Sequence, residues 1–178
     1  MIREILIHPD AKLKKVCEPI DAVDDATRAL MDDMLDTMYD APGIGLAAPQ
    51  IGILSRIVVL DCAPREADEG QPAPPREPLC LANPEVTWES EETFEYEEGC
   101  LSIPDIYANV TRPAQVKVKF LNREGAEEHR EFSGIWATCV QHEIDHLNGK
   151  LFIDYLSSMR RSMITSKMKK LKRSRASA

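Results

Sequence analysis

Residues 133–149 read Ser-Gly-Ile-Trp-Ala-Thr-Cys-Val-Gln-His-Glu-Ile-Asp-His-Leu-Asn-Gly, and this stretch decides how the chain folds. The pattern predicts a helix from Gly134 through Asn148, with Ser133 able to cap its start and Gly149 in the usual closing position. His142 and His146 are four residues apart and therefore share one face, a turn from each other. That spacing lets both imidazoles close on a single metal ion, with Glu143 projecting beside the open position. A divalent metal lowers the pKa of a coordinated water from about 15.7 to roughly 7, and a carboxylate can then take its proton. These five residues contain parts for hydrolysis. Taken alone they also fit an ordinary amphipathic helix, so the remainder of the chain must decide.

Upstream of the helix the periodicity changes from 3.6 to 2. Ala114 to Leu121 alternates apolar and polar residues as a half-buried antiparallel strand does, and Asn122-Arg123-Glu124-Gly125 turns it into a further strand from Glu127 to Phe132. Leu79 to Trp88 and the β-branched run Arg56 to Asp61 are two more strands. Glu89 to Glu98 is acidic but alternates through Phe94 and Tyr96. Strands followed by a core helix define an α+β class, with mostly antiparallel sheets around a central helix that carries the HExxH residues.

The flanks complete the plan. Leu30, Met34 and Met38 make an apolar stripe on a helix from Asp24 to Asp40, which Asp21 or Asp24 can cap and Ala41-Pro42-Gly43 stops. Cys62 to Pro78 holds five of the 12 prolines and reads as an exposed loop. A last helix starts near Ser157 and is expected to fray into a basic tail. Residues 1–178 are expected to form a single domain, with 157–178 as its C-terminal helix and tail.

With 43% hydrophobic and 29% charged residues, the composition is that of a soluble enzyme. No apolar run approaches the ~20 residues of a membrane span, and Met1-Ile2-Arg3-Glu4-Ile5-Leu6 does not resemble a signal peptide, so a cytoplasmic location is expected. The five cysteines form no CxxC pair and read as free thiols. The net charge of −8 hides an asymmetry. Tyr155 to Ala178 carries eight basic residues and no acidic one, leaving 14 basic against 30 acidic residues elsewhere, a net of −16.

A catalytic metal site needs three protein ligands and an open position. No histidine follows His146, and Asp154 is the one acidic residue downstream, so a cysteine from upstream is the natural third donor. Cys100, in Glu98-Gly99-Cys100-Leu101-Ser102, follows a glycine that lets the backbone bend and a substrate approach. The other histidines, His8 and His129, read as surface residues. Gly43-Ile44-Gly45-Leu46-Ala47-Ala48-Pro49-Gln50 leaves room for a ligand's backbone, and Gln50 offers an amide to a developing oxyanion. It lacks the spacing of a dinucleotide-binding loop.

The three segments, Gly43 to Gln50, Glu98 to Ser102 and Gln141 to His146 in chain order, resemble the peptide deformylase family, over about residues 1–165. The resemblance implies hydrolysis of the N-formyl group from the formyl-methionine start of newly made proteins, releasing formate. It implies one divalent metal on Cys100, His142 and His146, Fe(II) in the cell, with Zn, Ni or Co able to replace it in preparations. Glu143 would be general base and acid, while Gln50 and the Leu101 N–H would hold the oxyanion. The backbone of Ile44, Gly45 and Gly99 would pair with the substrate, and Ile44, Tyr96, Glu98, Ile135, Cys139 and His142 would wall the methionine pocket. The partners implied are nascent formyl-methionyl chains and, through the basic tail, the ribosome; DNA and membranes are not expected. Tyr107 stands at a rim position where several relatives carry arginine, Tyr96 and Thr138 replace aliphatic residues near the pocket, and the Cys62–Pro78 loop is longer than in compact members. The rivals are an HExxH endopeptidase and a non-catalytic relative that binds metal or nascent chains.

Overall fold

A computed structural model describes residues 1–178. The chain runs α1 (Asp25–Asp40), β1 (Gly45–Ala47), β2 (Ile57–Leu60), β3 (Leu79–Glu89), β4 (Thr93–Cys100), β5 (Ile103–Pro113), β6 (Gln115–Leu121), β7 (Glu127–Ser133), α2 (Gly134–Leu147) and α3 (Ser158–Ala176). Five strands form one antiparallel sheet in the order β1-β2-β3-β6-β7, while β4 and β5 form a separate two-stranded ribbon. The α+β expectation holds.

Alternation explains the larger sheet. In β6, Val116, Val118 and Phe120 point inward and pack on Ala137, Val140, Ile144 and Leu147 of α2. The opposite face packs Ile57, Val59, Cys80 and Ala82 against Met31, Met34 and Met38 of α1. A sheet covered on both faces buries nearly every apolar side chain it presents, and burial is the main driving force. The ribbon builds its own cluster, in which Ile103, Ala108 and Val110 meet Phe152 and Ile153 and, from α3, Ile164 and Met168.

The helix ends follow local chemistry. Asp24, not Asp21, caps α1 and accepts from the Thr27 N–H at 2.8 Å. Ser133, the last residue of β7, precedes α2, but its side chain makes no capping bond. Past α2, Gly149 takes φ +72°, and a Cβ there would meet the Lys14 carbonyl oxygen at 2.5 Å. Only glycine fits that turn.

Three expectations need correction. Residues 103–113, to which the sequence analysis assigns no element, form the long strand β5. The C-terminal helix does not fray into the tail but continues to Ala176, since Ile164, Met168 and Leu171 give it an inward apolar stripe. His8 is not a surface residue: it is 4% exposed, and its Nε2 meets Thr165 Oγ1 of α3 at 2.8 Å. His129 is exposed and pairs with Glu127, as a surface residue does.

Burial, helped by Lys14, pushes His8 down from 6.5 to about 4. The folded state therefore resists the proton that the unfolded chain accepts. The stability concerned is intact above pH 6.5 and lost progressively from pH 6.5 to about 4, by at most about 3 kcal/mol. Thermal unfolding followed across that window is expected to show a steeper loss for the wild type than for His8→Gln. Parallel curves would assign the loss to other groups.

Candidate metal centre and active site

Two elements from different parts of the sequence meet at one point. Helix α2 brings His142, Glu143 and His146, all buried, and the end of β4 brings Cys100. The Nε2 atoms of His142 and His146 lie 3.2 Å apart, and Cys100 Sγ is 3.4 Å from His146 Nε2. A single proton can be shared between two of these three donor atoms, but it cannot bridge all three at once. A cation satisfies all three donors at once, and one thiolate with two imidazoles is a donor set that zinc, iron and related metals accept. The residues fit a metal ion.

The ligands are held from behind. His142 Nδ1 lies 2.9 Å from Glu98 Oε1, which sets the tautomer so that Nε2 faces the centre with its lone pair. Arg112, from β5, grips the same carboxylate with two bonds of 2.7 and 3.0 Å. Its third nitrogen donates to Asp145 at 2.9 Å, and Tyr155 also donates to Asp145, at 2.8 Å. Burial would push Glu98 up, yet His142 and Arg112 outweigh it and hold the carboxyl below its usual range. Glu98 walls the cleft as expected, and in addition it orients a metal-type histidine. Sequence reasoning missed Arg112, Asp145 and Tyr155. Asp145 was within reach, since it stands three residues after His142 on the same helix; Arg112 carried no local signal.

Glu143 is 4% exposed and its Oε2 has no hydrogen-bond partner. Burial, with Glu98 adding to it and His142 opposing, pushes the carboxyl up to about 7. That value suits a group which must both take and give a proton near neutrality. Gln50, also buried, accepts the Ala47 N–H at 2.9 Å through its oxygen. Only the oxygen can accept, so the amide nitrogen faces the centre, 3.1 Å from Ser102 Oγ and 3.6 Å from Cys100 Sγ.

A cleft of about 420 Å³ opens in front of these groups. Ile44 and Gly45 line it, together with Tyr96, Glu98 and Gly99 of the ribbon. Ile135 and Cys139 of α2, with His142, form the remaining wall, and Gln50, Cys100, Leu101 and Glu143 also face the space. Every proposed substrate-side residue thus faces one cavity, while His146 completes the donor set with 1% exposure. Gly45 leaves no space to spare, for a Cβ there would sit 2.5 Å from Glu143 Oε1 and 2.8 Å from Cys139 Sγ. A larger groove of about 620 Å³ lies beyond α2, but its lining is mainly polar and holds no converging donor set.

A family model described as polypeptide deformylase matches residues 2–162. The chain belongs to the peptide deformylase family. A family member from Methylocella silvestris is 53% identical over 169 residues, covering 95% of this chain and 84% of its own. The crystal structure of the peptide deformylase from Ehrlichia chaffeensis superposes with a TM-score of 0.89 at 36% identity, covering 99% of each chain. That from Legionella pneumophila gives 0.86 at 44% identity, covering 99% of this chain and 98% of its own. The family is one of metalloenzymes, in keeping with the candidate centre. No helix is long and apolar enough to cross a membrane.

Proposed function

We propose that this protein hydrolyses the formyl amide of formyl-methionyl chains, with Glu143 as the proton carrier and Cys100, His142 and His146 as metal ligands. The observation that carries the reading is the convergence of those three donors beside a buried, unpartnered carboxylate at the base of a cleft. When bound there, a divalent cation supplies Lewis-acid activation of water and of the formyl oxygen. Glu143 accepts the proton of the attacking water and delivers it to the amine nitrogen as the C–N bond breaks and formate departs. Gln50 Nε2 and the Leu101 N–H steady the negative oxygen of the tetrahedral carbon. The backbone of Ile44, Gly45 and Gly99 takes the peptide as an added strand, and Tyr96, Ile135 and Cys139 enclose the methionine side chain.

The test is formate release from a formyl-methionyl tripeptide by anaerobically prepared Fe(II) or Ni(II) protein. Turnover supports the reading. No turnover from fully metallated protein would leave a binding protein, and cleavage of unformylated peptides would point to an endopeptidase. We assign Fe(II) as the cellular metal on the family resemblance alone, for a thiolate with two imidazoles accepts zinc, nickel and cobalt as well. A cytoplasmic location fits the five free thiols.

The basic face of α3 supports a second assignment, contact with ribosomal RNA phosphates near emerging chains. Excising residues 160–178 would be a poor test, since Ile164 and Met168 are buried in the ribbon cluster and Thr165 holds His8. Charge reversal on the exposed face is cleaner. Lys167, Lys170, Arg173 and Arg175 changed to glutamate should weaken ribosome co-sedimentation at least about tenfold and flatten its salt dependence. Turnover of the free tripeptide should stay within about twofold. Unchanged sedimentation would remove the ribosome from the list of partners.

A further inference from the structure

The loop between β2 and β3 is exposed over most of its length, but it is not free. Asp61, 1% exposed, accepts from Tyr39 Oη at 2.6 Å, from the Ala63 N–H at 3.0 Å and from the Glu77 N–H at 3.1 Å. One buried carboxylate therefore pins both ends of the loop and ties them to α1. Burial, then Asp61 beside it, pushes the Tyr39 phenol up to about 12, so it stays a donor. The guanidinium groups of Arg65 and Arg76 lie 5.2 and 4.0 Å from the centre of the Tyr39 ring, at cation–π distance.

From that perch Arg65 reaches out of the loop. Its Nη2 donates to the Gly43 carbonyl at 2.5 Å and approaches the Asp61 carbonyl at 3.5 Å. The next carbonyl, that of Ile44, accepts the Asp61 N–H at 2.9 Å. Two successive carbonyls of the Gly43–Gly45 segment are thus held by the loop and its root. The same three residues line the cleft.

We infer that Arg65 is a positioning residue for peptide binding, which sets the Gly43–Gly45 backbone as the edge that receives the substrate chain. The inference rests on the deformylase reading and adds to it a role for a loop whose composition suggested only an excursion. Arg65 touches neither the donor set nor Glu143. Its contribution falls on binding that is equal in ground and transition states, which appears in KM and not in kcat. Substrates that extend past methionine pair along the edge and need it aligned; formyl-methionine alone does not.

The experiment compares the wild type, Arg65→Ala, Arg65→Lys and Arg76→Ala, all metal-loaded, on a formyl-methionyl tripeptide and on formyl-methionine. Arg65→Ala should raise the tripeptide KM roughly fivefold with kcat within about twofold, and should change formyl-methionine kinetics less than about twofold. Arg65→Lys, which keeps a charged donor, should recover part of the loss. Arg76→Ala, which removes a ring contact but no bond to Gly43, should leave the tripeptide KM within about twofold. An unchanged KM in Arg65→Ala overturns the inference, and so does an equal rise in both alanine variants, which would make loop order and not the Gly43 bond responsible. A wild type with no turnover on either substrate defeats the deformylase reading itself, a result distinct from these.

Discussion

Glu143→Ala is expected to lower formate release by at least about a thousandfold while the protein folds and binds one metal per chain. Both halves follow from the surroundings of the side chain. Glu143 ligates nothing in the donor set and its Oε2 has no partner, so removing it breaks no network. The variant should melt close to the wild type, because Glu143 makes no bond to another protein group that its loss would break. No other group can step in. Glu98 is the nearest alternative carboxylate, and it is bound on both oxygens by Arg112 and His142. Formate release above about one per cent of the wild-type rate, with metal content confirmed, would move the proton transfer to some other group.

The second large effect belongs to a residue that touches neither substrate nor metal. Arg112→Ala should cost about 3–5 kcal/mol of stability, since it leaves the carboxylates of Glu98 and Asp145 without their counter-charge. Glu98 is 4% exposed, so water cannot replace the guanidinium. His142 then loses the support behind Nδ1, and metal affinity should fall about 10- to 100-fold. Thermal unfolding and competition with a metal chelator read the two effects separately. Arg112→Lys should restore charge but not the two-pronged grip on Glu98, and so recover only part of each. Wild-type metal affinity in Arg112→Ala would mean that Glu98 orients His142 unaided.

Which of these features the sequence discloses depends on how far apart the interacting residues lie. His142, Glu143 and His146 are legible because a helix fixes their relation within two turns. Val116, Val118 and Phe120 are legible because a strand alternates. Cys100 could be singled out only through the glycine before it and the lack of any ligand after His146, and the family resemblance supplied its role. Arg112 was invisible, for its three partners come from β4, α2 and the turn after it, 14 to 43 residues away. His8 was misjudged for the same reason, as its partner Thr165 lies 157 residues along the chain. β5 escaped notice because Pro104 and Pro113 sit at its ends and mask a strand whose pairing with β4 runs from Cys100↔Ile103 to Thr93↔Pro113. The loop at Cys62–Pro78 was read correctly as irregular, but composition says nothing of a carboxylate that closes it.

The distance in sequence between Cys100 and His142 also sets an order of events during synthesis. The Cys100 thiol leaves the translation machinery 42 residues before His142, and its proposed co-ligands are not in place until α2 has formed against the sheet. The β6–β7 hairpin, on which α2 lies, must emerge before that helix. During this interval the future metal ligand is an unprotected nucleophile on an incomplete chain, open to oxidants and to stray soft metals. With the proposed ligands, loading would then be a late, single event tied to the closing of the helix, and not a gradual filling of a site already in place.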